Sequence, residues 1–352
     1  MSKKSRKRVF LTFLTMIMTG AIVLTFFPGL LDRTDLASTL HTLSSNLLNG
    51  QENPDKGASL DKGAGKSSLN LTKTSLSQVD ANQFMPPEDS SYLMLNLQTG
   101  ERLLEKNGDT HRAPASTVKL LTGLLVHEKL QADELIILGE EVKVEGSVLG
   151  FKPGDKILVK DLFTAMYVFS ANDAANALAV AAYGTKEQFI QAMNSYAAEL
   201  GCKDSQFKTA DGMPAEDQYT TAKDLAIIAA KVTETPVLMD YINQKKASVE
   251  WTDANGWKQI REISNTNQLL GIYPGDQGLK TGTTTEAGQC LVTYVTSEDG
   301  DLLLVLLGSK QRYTDTVELL DQGMAKIRTR SALKNILSSP DAFYNIPGFF
   351  VP

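Results

Sequence analysis

Three short groups of residues in this 352-residue chain combine a nucleophile, a base and an anion site. Ser-x-x-Lys sets a hydroxyl and an amine one helical turn apart on one face, so the amine can take the hydroxyl proton once its own charge is suppressed. The pattern occurs at Ser59/Lys62, Ser116/Lys119, Ser205/Lys208 and Ser331/Lys334. Only Ser116/Lys119 lies in an apolar helical run, where burial penalises the ammonium and lowers the lysine pKa toward that of a working base. Taken alone, the pair also fits an ordinary helix start with a snorkelling lysine. Ser170-Ala171-Asn172-Asp173 interrupts an apolar stretch, which fits either a break presenting Ser170 and Asn172 to a cleft or a helix cap. Lys280-Thr281-Gly282, followed by Thr283-Thr284-Thr285, joins a cation and hydroxyls to a glycine that lets another backbone or a ligand approach a strand. That combination suits a carboxylate; a polar strand end rich in β-favouring threonine is the alternative.

These groups need elements to hold them. Tyr92–Leu97 reads as a strand, Gln98-Thr99-Gly100 as a turn and Arg102-Leu103-Leu104 as its return, a hairpin. Ala115–Leu125 reads as a buried helix after Pro114. Further helical patterns cover Val159–Tyr183, broken around Ser170, then Lys186–Leu200, Thr221–Lys231 and Pro236–Ile242. The last starts on proline, whose missing N–H costs nothing at the first helical position. Gly288–Thr296 and Asp301–Leu307 flank Glu298-Asp299-Gly300 as a second hairpin, with a final helix near Tyr313–Arg328. Strands at both ends around a helix-rich middle predict an α+β fold whose N- and C-terminal pieces share one antiparallel sheet. Cys202 and Cys290 match no metal or redox spacing and read as core residues.

With 42% hydrophobic and 22% charged residues the chain has material for one large core or two small domains, which excludes a disordered or fibrous protein. Val9–Leu31 is 23 residues without a charge, long enough to cross about 30 Å of hydrocarbon. It is expected to be an uncleaved signal anchor, with Lys3, Lys4, Arg6, Lys7 and Arg8 kept in the cytoplasm. A cleaved secretory signal is the alternative; both export the rest to the outside of the membrane. Residues 32–83, dominated by Ser, Thr, Asn, Gly, Asp and Lys, read as a flexible stalk that gives reach. The expected organisation is a basic end over 1–8, the anchor over 9–31, the stalk over 32–83, a catalytic domain over 84–330 and a tail over 331–352. Without the five N-terminal cations, 30 Lys+Arg stand against 41 Asp+Glu, a charge of −11 that makes a nucleic-acid partner improbable. Only His41, His111 and His127 are present, in no zinc-like spacing, so no metal or cofactor is expected.

In the order Ser116/Lys119, Ser170/Asn172, Lys280/Thr281/Gly282, the three motifs resemble the signature of the penicillin-recognising serine enzymes. Ala113-Pro114-Ala115-Ser116, Ser170–Ala175, Asp211-Gly212-Met213-Pro214 and Tyr219–Leu225 look like the low-molecular-weight D-alanyl-D-alanine carboxypeptidases, over roughly Asp80 to Arg330. The resemblance implies a β-lactamase/DD-peptidase-like fold, an antiparallel sheet flanked by helices plus a helical subdomain. It implies removal of the terminal D-Ala from peptidoglycan stem pentapeptides through an acyl-enzyme, with β-lactams as covalent inhibitors. Ser116 would be the nucleophile, Lys119 its general base and Ser170 a proton donor to the leaving group. Asn172 would hold the peptide backbone and help fix Lys119, while Lys280 and Thr281 would bind the terminal carboxylate beside Gly282. The N–H groups of Ser116 and Thr283 would form the oxyanion hole. Many relatives carry a further β-rich domain and an amphipathic C-terminal helix, whereas only about 20 residues follow the last helix here. Two rival readings are a class A-like β-lactamase, which needs a loop Glu not evident here, and a non-catalytic membrane-tethered protein that binds wall peptides or β-lactams.

Overall fold

The computed structural model describes residues 89–338. The expected anchor, stalk and most of the expected tail lie outside the described residues. Among the described residues no helix is long and apolar enough to cross a membrane.

Strands β1 (Ser91–Asn96) and β2 (Glu101–Lys106) form the expected N-terminal hairpin, and β8 (Gly288–Val295) and β9 (Leu302–Ser309) the C-terminal one. With β7 (Asp276–Thr284) they build one antiparallel sheet in the order β2-β1-β9-β8-β7. The first and last strands of the described residues therefore meet at the β1–β9 pair, where Leu93 lies opposite Val305. β9 reads as an unbroken run of leucine and valine because both of its faces are covered. Leu303, Val305 and Leu307 enter the main core, and Leu302, Leu304 and Leu306 a second cluster with Leu319 and Leu320.

The middle of the chain supplies helices α1 (Lys119–His127), α2 (Val159–Thr164), α3 (Asn172–Tyr183), α4 (Lys186–Leu200), α5 (Ala222–Thr233) and α6 (Pro236–Ile242). Thr185 and Thr221 cap α4 and α5 with their hydroxyls, each accepting an N–H of the first turn. The last helix, α7 (Arg312–Ser338), continues past the expected Arg328 and takes up the start of what the sequence suggested as tail. A second antiparallel sheet, β3 (Leu135–Ile137), β4 (Lys156–Leu158), β5 (Lys246–Thr252) and β6 (Lys258–Ser264), has no counterpart in the sequence-based expectation. Its outer face is exposed and its strands are polar, with Ile260 on the surface and only Val249 and Ile263 of the last two strands buried. The period-2 signal is weak for that reason.

α1 is buried on every side, and close packing there has a measurable consequence. A Cβ at Gly123 would stand 1.7 Å from Tyr167 Oη and 2.6 Å from its Cζ, and that ring is itself buried. Gly123→Ala gains about 1 kcal/mol of helix propensity but overpacks a rigid site at a cost of roughly 1–3 kcal/mol or more. A net loss of stability in urea unfolding is expected.

Candidate active site

Pro114 opens a 3-10 turn, Ala115–Val118, that delivers Ser116 at the head of α1. Ala115 has φ +48°, a left-handed value that a residue with a Cβ adopts only when its surroundings impose it. Two glycines do so. A Cβ at Gly212 would fall 1.9 Å from Ala115 O, and one at Gly282 would fall 2.9 Å from Ala115 Cβ and 3.0 Å from Ser116 N. The backbone of Ala115 and Ser116 is thus gripped between the Asp211-Gly212 turn and strand β7.

Lys119, one turn on, is fully buried (0% exposed). Its Nζ lies 2.8 Å from Ser116 Oγ, 2.8 Å from Asn172 Oδ1 and 2.6 Å from Asp211 O. An ammonium spends all three protons on these oxygens; a neutral amine keeps two donors for Asn172 and Asp211 and turns its lone pair to the Ser116 hydroxyl. Burial holds the pKa of this lysine down to about 8, with the Asp211 and Asp173 carboxylates pulling the other way.

Ser170 ends a π-helical turn, Ala165–Phe169, in the left-handed conformation (φ +65°), and this is the break expected in the Val159–Tyr183 stretch. The turn directs Ser170 Oγ at Lys280 Nζ, 2.8 Å away; Lys280 also donates to Thr281 O at 3.0 Å. Lys280 is 1% exposed, and burial, then the positive charges of Lys119 and Arg312, push its pKa well below the ordinary lysine value. Asn172 starts α3 with both ends of its amide engaged: Oδ1 accepts from Lys119, and Nδ2 donates to Glu145 O at 2.6 Å. Its backbone N–H donates to Ser147 O at 2.7 Å. Next to it, the buried Asp173 carboxylate accepts from the N–H groups of Leu149, Gly150 and Phe151, tying the 145–151 loop to the site.

The structure therefore brings Ser116, Lys119, Ser170, Asn172, Lys280, Thr281, Gly282 and Thr283 into one cluster. Thr281 Oγ1 donates to Thr266 Oγ1 at 2.8 Å, and Thr283 Oγ1 accepts from Arg312. Arg312 and Thr266 have no local signal in the sequence, since they reach the site from α7 and from the loop before β7. Arg312 also donates to Gly282 O (2.8 Å) and Cys290 O (3.0 Å), fixing β7 from outside. Asp211 stood in a segment that marked the resemblance, yet the atom that matters is its carbonyl. Of the other Ser-x-x-Lys pairs, Ser59/Lys62 lies outside the described residues. Ser205 is bound to Asp224 Oδ2 at 2.8 Å as a loop anchor, and Ser331 sits exposed near the end of α7. Cys202 and Cys290 are buried free thiols, as expected of core residues.

This geometry agrees with the comparisons. The family model described as D-alanyl-D-alanine carboxypeptidase matches residues 79–311. D-alanyl-D-alanine carboxypeptidase DacF of Bacillus subtilis is 30% identical over 70% of this chain, and DacC of Escherichia coli is 32% identical over 72%. The chain spans 65% and 64% of the length of these two relatives. The D-alanyl-D-alanine carboxypeptidase of Streptomyces sp. strain K15 is 30% identical over 66% of this chain and 85% of its own length. The crystal structure of the Streptomyces K15 DD-transpeptidase superposes with a TM-score of 0.64 at 27% identity, covering 66% of this chain and 96% of that one. Motif order, site geometry and matched length agree: the chain belongs to the D-alanyl-D-alanine carboxypeptidase family of serine peptidases.

Proposed function

We propose that this chain is a serine D,D-carboxypeptidase that removes the terminal D-Ala from peptidoglycan stem peptides. The observation that carries this reading is the buried Lys119 amine, held by Asn172 and Asp211 within 2.8 Å of the Ser116 hydroxyl. Lys119 takes the Ser116 proton as Oγ attacks the carbonyl carbon of the penultimate D-Ala. The developing oxyanion is met by the N–H groups of Ser116 and Thr283, a role supported by the close run of β7 along the Ser116 backbone. Ser170, hydrogen-bonded to Lys280, hands a proton to the departing nitrogen. Lys280 and Thr281 offer donors, and the neighbouring Arg312 guanidinium the positive charge, that receive the terminal carboxylate. Water then hydrolyses the ester on Ser116. β-Lactams, as cyclic mimics of the same acyl group, acylate the same oxygen and leave more slowly. The Streptomyces K15 relative carries both a carboxypeptidase and a transpeptidase name, which favours amine acceptors as a second route from the same acyl-enzyme. The uncharged Val9–Leu31 run supports placing this domain outside the cytoplasmic membrane on an N-terminal anchor.

The test is D-Ala release from a pentapeptide ending in D-Ala-D-Ala. The native protein releases D-Ala and Ser116→Ala does not; release that survives the substitution overturns the assignment. The pH dependence follows from the Lys119 environment. Acylation requires the neutral amine, so its rate rises through about pH 8 and levels off above. Between about 8 and 10.5 the unfolded chain holds a proton that the folded chain has released, so stability also rises with pH across that window. Stopped-flow acylation between pH 6 and 10 reads the first effect; a rate flat over that range contradicts it.

A further inference from the structure

The second sheet reaches toward the site through one charged side chain. Arg261 on β6 lies opposite the buried Val249 of β5 and two residues before the buried Ile263, so it projects from the inner face of an edge strand. Its guanidinium lies over the Phe169 ring, 5.2 Å from the centroid, and Nη1 donates to Leu149 O at 2.9 Å. Phe169 is the last residue of the π-helical turn that presents Ser170, and Leu149 belongs to the 145–151 loop. A planar guanidinium can stack on a ring and still donate in its own plane, which an ammonium cannot do. No carboxylate pairs with Arg261 among the described residues, so its contacts are the carbonyl and the ring.

The loop that Arg261 holds has no helix or strand of its own, and Gly146 and Gly150 both sit at φ +87°. It is fixed by bonds to two neighbouring residues. Asn172 Nδ2 donates to Glu145 O and Asn172 N to Ser147 O, while the Asp173 carboxylate accepts from the N–H groups of Leu149, Gly150 and Phe151. The peptide unit between Leu149 and Gly150 is therefore held at both ends: its carbonyl accepts from Arg261, and its N–H donates to Asp173 Oδ2 at 2.8 Å. Hydrogen bonds in series through one amide polarise each other, so a cation at one end and a carboxylate at the other strengthen both. The sheet meets the loop at a second point, where Phe151 packs edge-on against Trp251 of β5 with ring centroids 5.3 Å apart. What the loop offers the site is the Glu145 carbonyl. By accepting from Nδ2, it fixes which end of the Asn172 amide faces the Lys119 amine.

We propose that Arg261 is a positioning residue for Asn172. By pinning the Leu149–Gly150 peptide against Asp173 and the Phe169 ring, it holds the Glu145 carbonyl where it orients the Asn172 amide, and through that amide the Lys119 amine. Arg261 makes no hydrogen bond to Ser116, Lys119, Ser170 or Asn172, so its effect on them is relayed. The second sheet thereby serves as a buttress for acylation. The inference rests on Ser116 being the acylated nucleophile and on Asn172 helping to hold its base. A native protein that forms no acyl-enzyme would remove that reading; native acylation indifferent to Arg261 would remove only the buttress.

The test is a double-mutant cycle on Ser116 acylation by benzylpenicillin, followed on the full chain by intact mass against time. Arg261→Met keeps the stem of the side chain and removes both the donor and the charge. Misplacing a catalytic group by about 1 Å costs on the order of 100-fold in rate, so partial release of the loop is expected to slow acylation roughly 10-fold. In an Asn172→Ala background the same substitution is expected to change the rate by less than about twofold, because the amide it positions is gone. Hydrogen exchange at the Leu149, Gly150 and Phe151 amides is expected to quicken in Arg261→Met while that of β9 stays native. Should the methionine variant fail to fold, Arg261→Gln, neutral and too short to span the ring and the carbonyl, runs the same cycle with the same expected slowing. A native acylation rate in a folded Arg261 variant overturns the proposal. Equal slowing with and without the Asn172 amide overturns it too, since a general loosening of the fold would give that result.

Discussion

Lys119→Met and Lys119→Arg are both expected to lower the rate of Ser116 acylation by roughly 10²- to 10⁴-fold, the range for loss of a positioned general base. The two substitutions remove different things. Methionine keeps the length of the side chain and removes every polar atom, leaving Asn172 Oδ1 and Asp211 O without their donor. That loss costs on the order of 1–3 kcal/mol for each unsatisfied oxygen, offset in part because a buried amine no longer has to be desolvated. Arginine keeps a positive charge and donors for both oxygens but cannot give up its proton. If Lys119 acted only as a fixed cation beside Ser116, arginine would retain much of the rate. Acylation by a fluorescent penicillin, with thermal unfolding of each variant as the control for folding, distinguishes these accounts. Near-native rates in Lys119→Arg would rule out the neutral-base role.

Gly212→Ala is expected to slow acylation as well, by a smaller factor, although residue 212 carries no chemistry. Its φ of +84° is left-handed, and the added Cβ would lie 1.9 Å from Ala115 O and 2.4 Å from Ala115 C, backbone atoms that cannot swing aside as a side-chain end can. The Ala115–Val118 turn or the Asp211-Gly212 turn must move. Either motion separates the Lys119 amine from Ser116 Oγ or from the Asp211 carbonyl that holds it. Misplacement of about 1 Å costs on the order of 100-fold in rate, and the strain and clash cost roughly 1–3 kcal/mol of stability or more. Gly282→Ala is the milder companion, with its closest new contacts at 2.9–3.3 Å and an ordinary backbone conformation. The expected order of acylation rates is native, then Gly282→Ala, then Gly212→Ala. A Gly212→Ala protein with native rates would mean that the grip on Ala115 does not position the nucleophile.

The parts of this site legible in the sequence are those whose signal is local. Ser116 and Lys119 share one helical face, Ser170 breaks a helix that would otherwise run on, and Lys280-Thr281-Gly282 follows a turn into a strand. The helices Lys186–Leu200 and Pro236–Ile242 have the bounds their sequence pattern suggests, because a threonine cap and an N-terminal proline mark where they begin. The second sheet escaped because its strands bury almost nothing on one face, so alternation is weak even though the Asp253–Trp257 turn has strong turn residues. Arg312, Thr266 and Glu145 were not legible for a different reason. Each acts across a tertiary contact, Arg312 through guanidinium bonds to a strand 30 residues earlier in the chain. The Asp211 contribution is a carbonyl, an atom every residue possesses, so only the fold reveals it.

The central claim is that Ser116, activated by a buried neutral Lys119, is the acyl carrier. The most direct test is the intact mass of the protein after incubation with benzylpenicillin, followed by peptide mapping. The account predicts one penicilloyl group per chain, located on Ser116, formed faster at pH 9 than at pH 7 and absent from Ser116→Ala. An adduct on any other residue, or an unmodified folded protein that leaves penicillin intact, would contradict it.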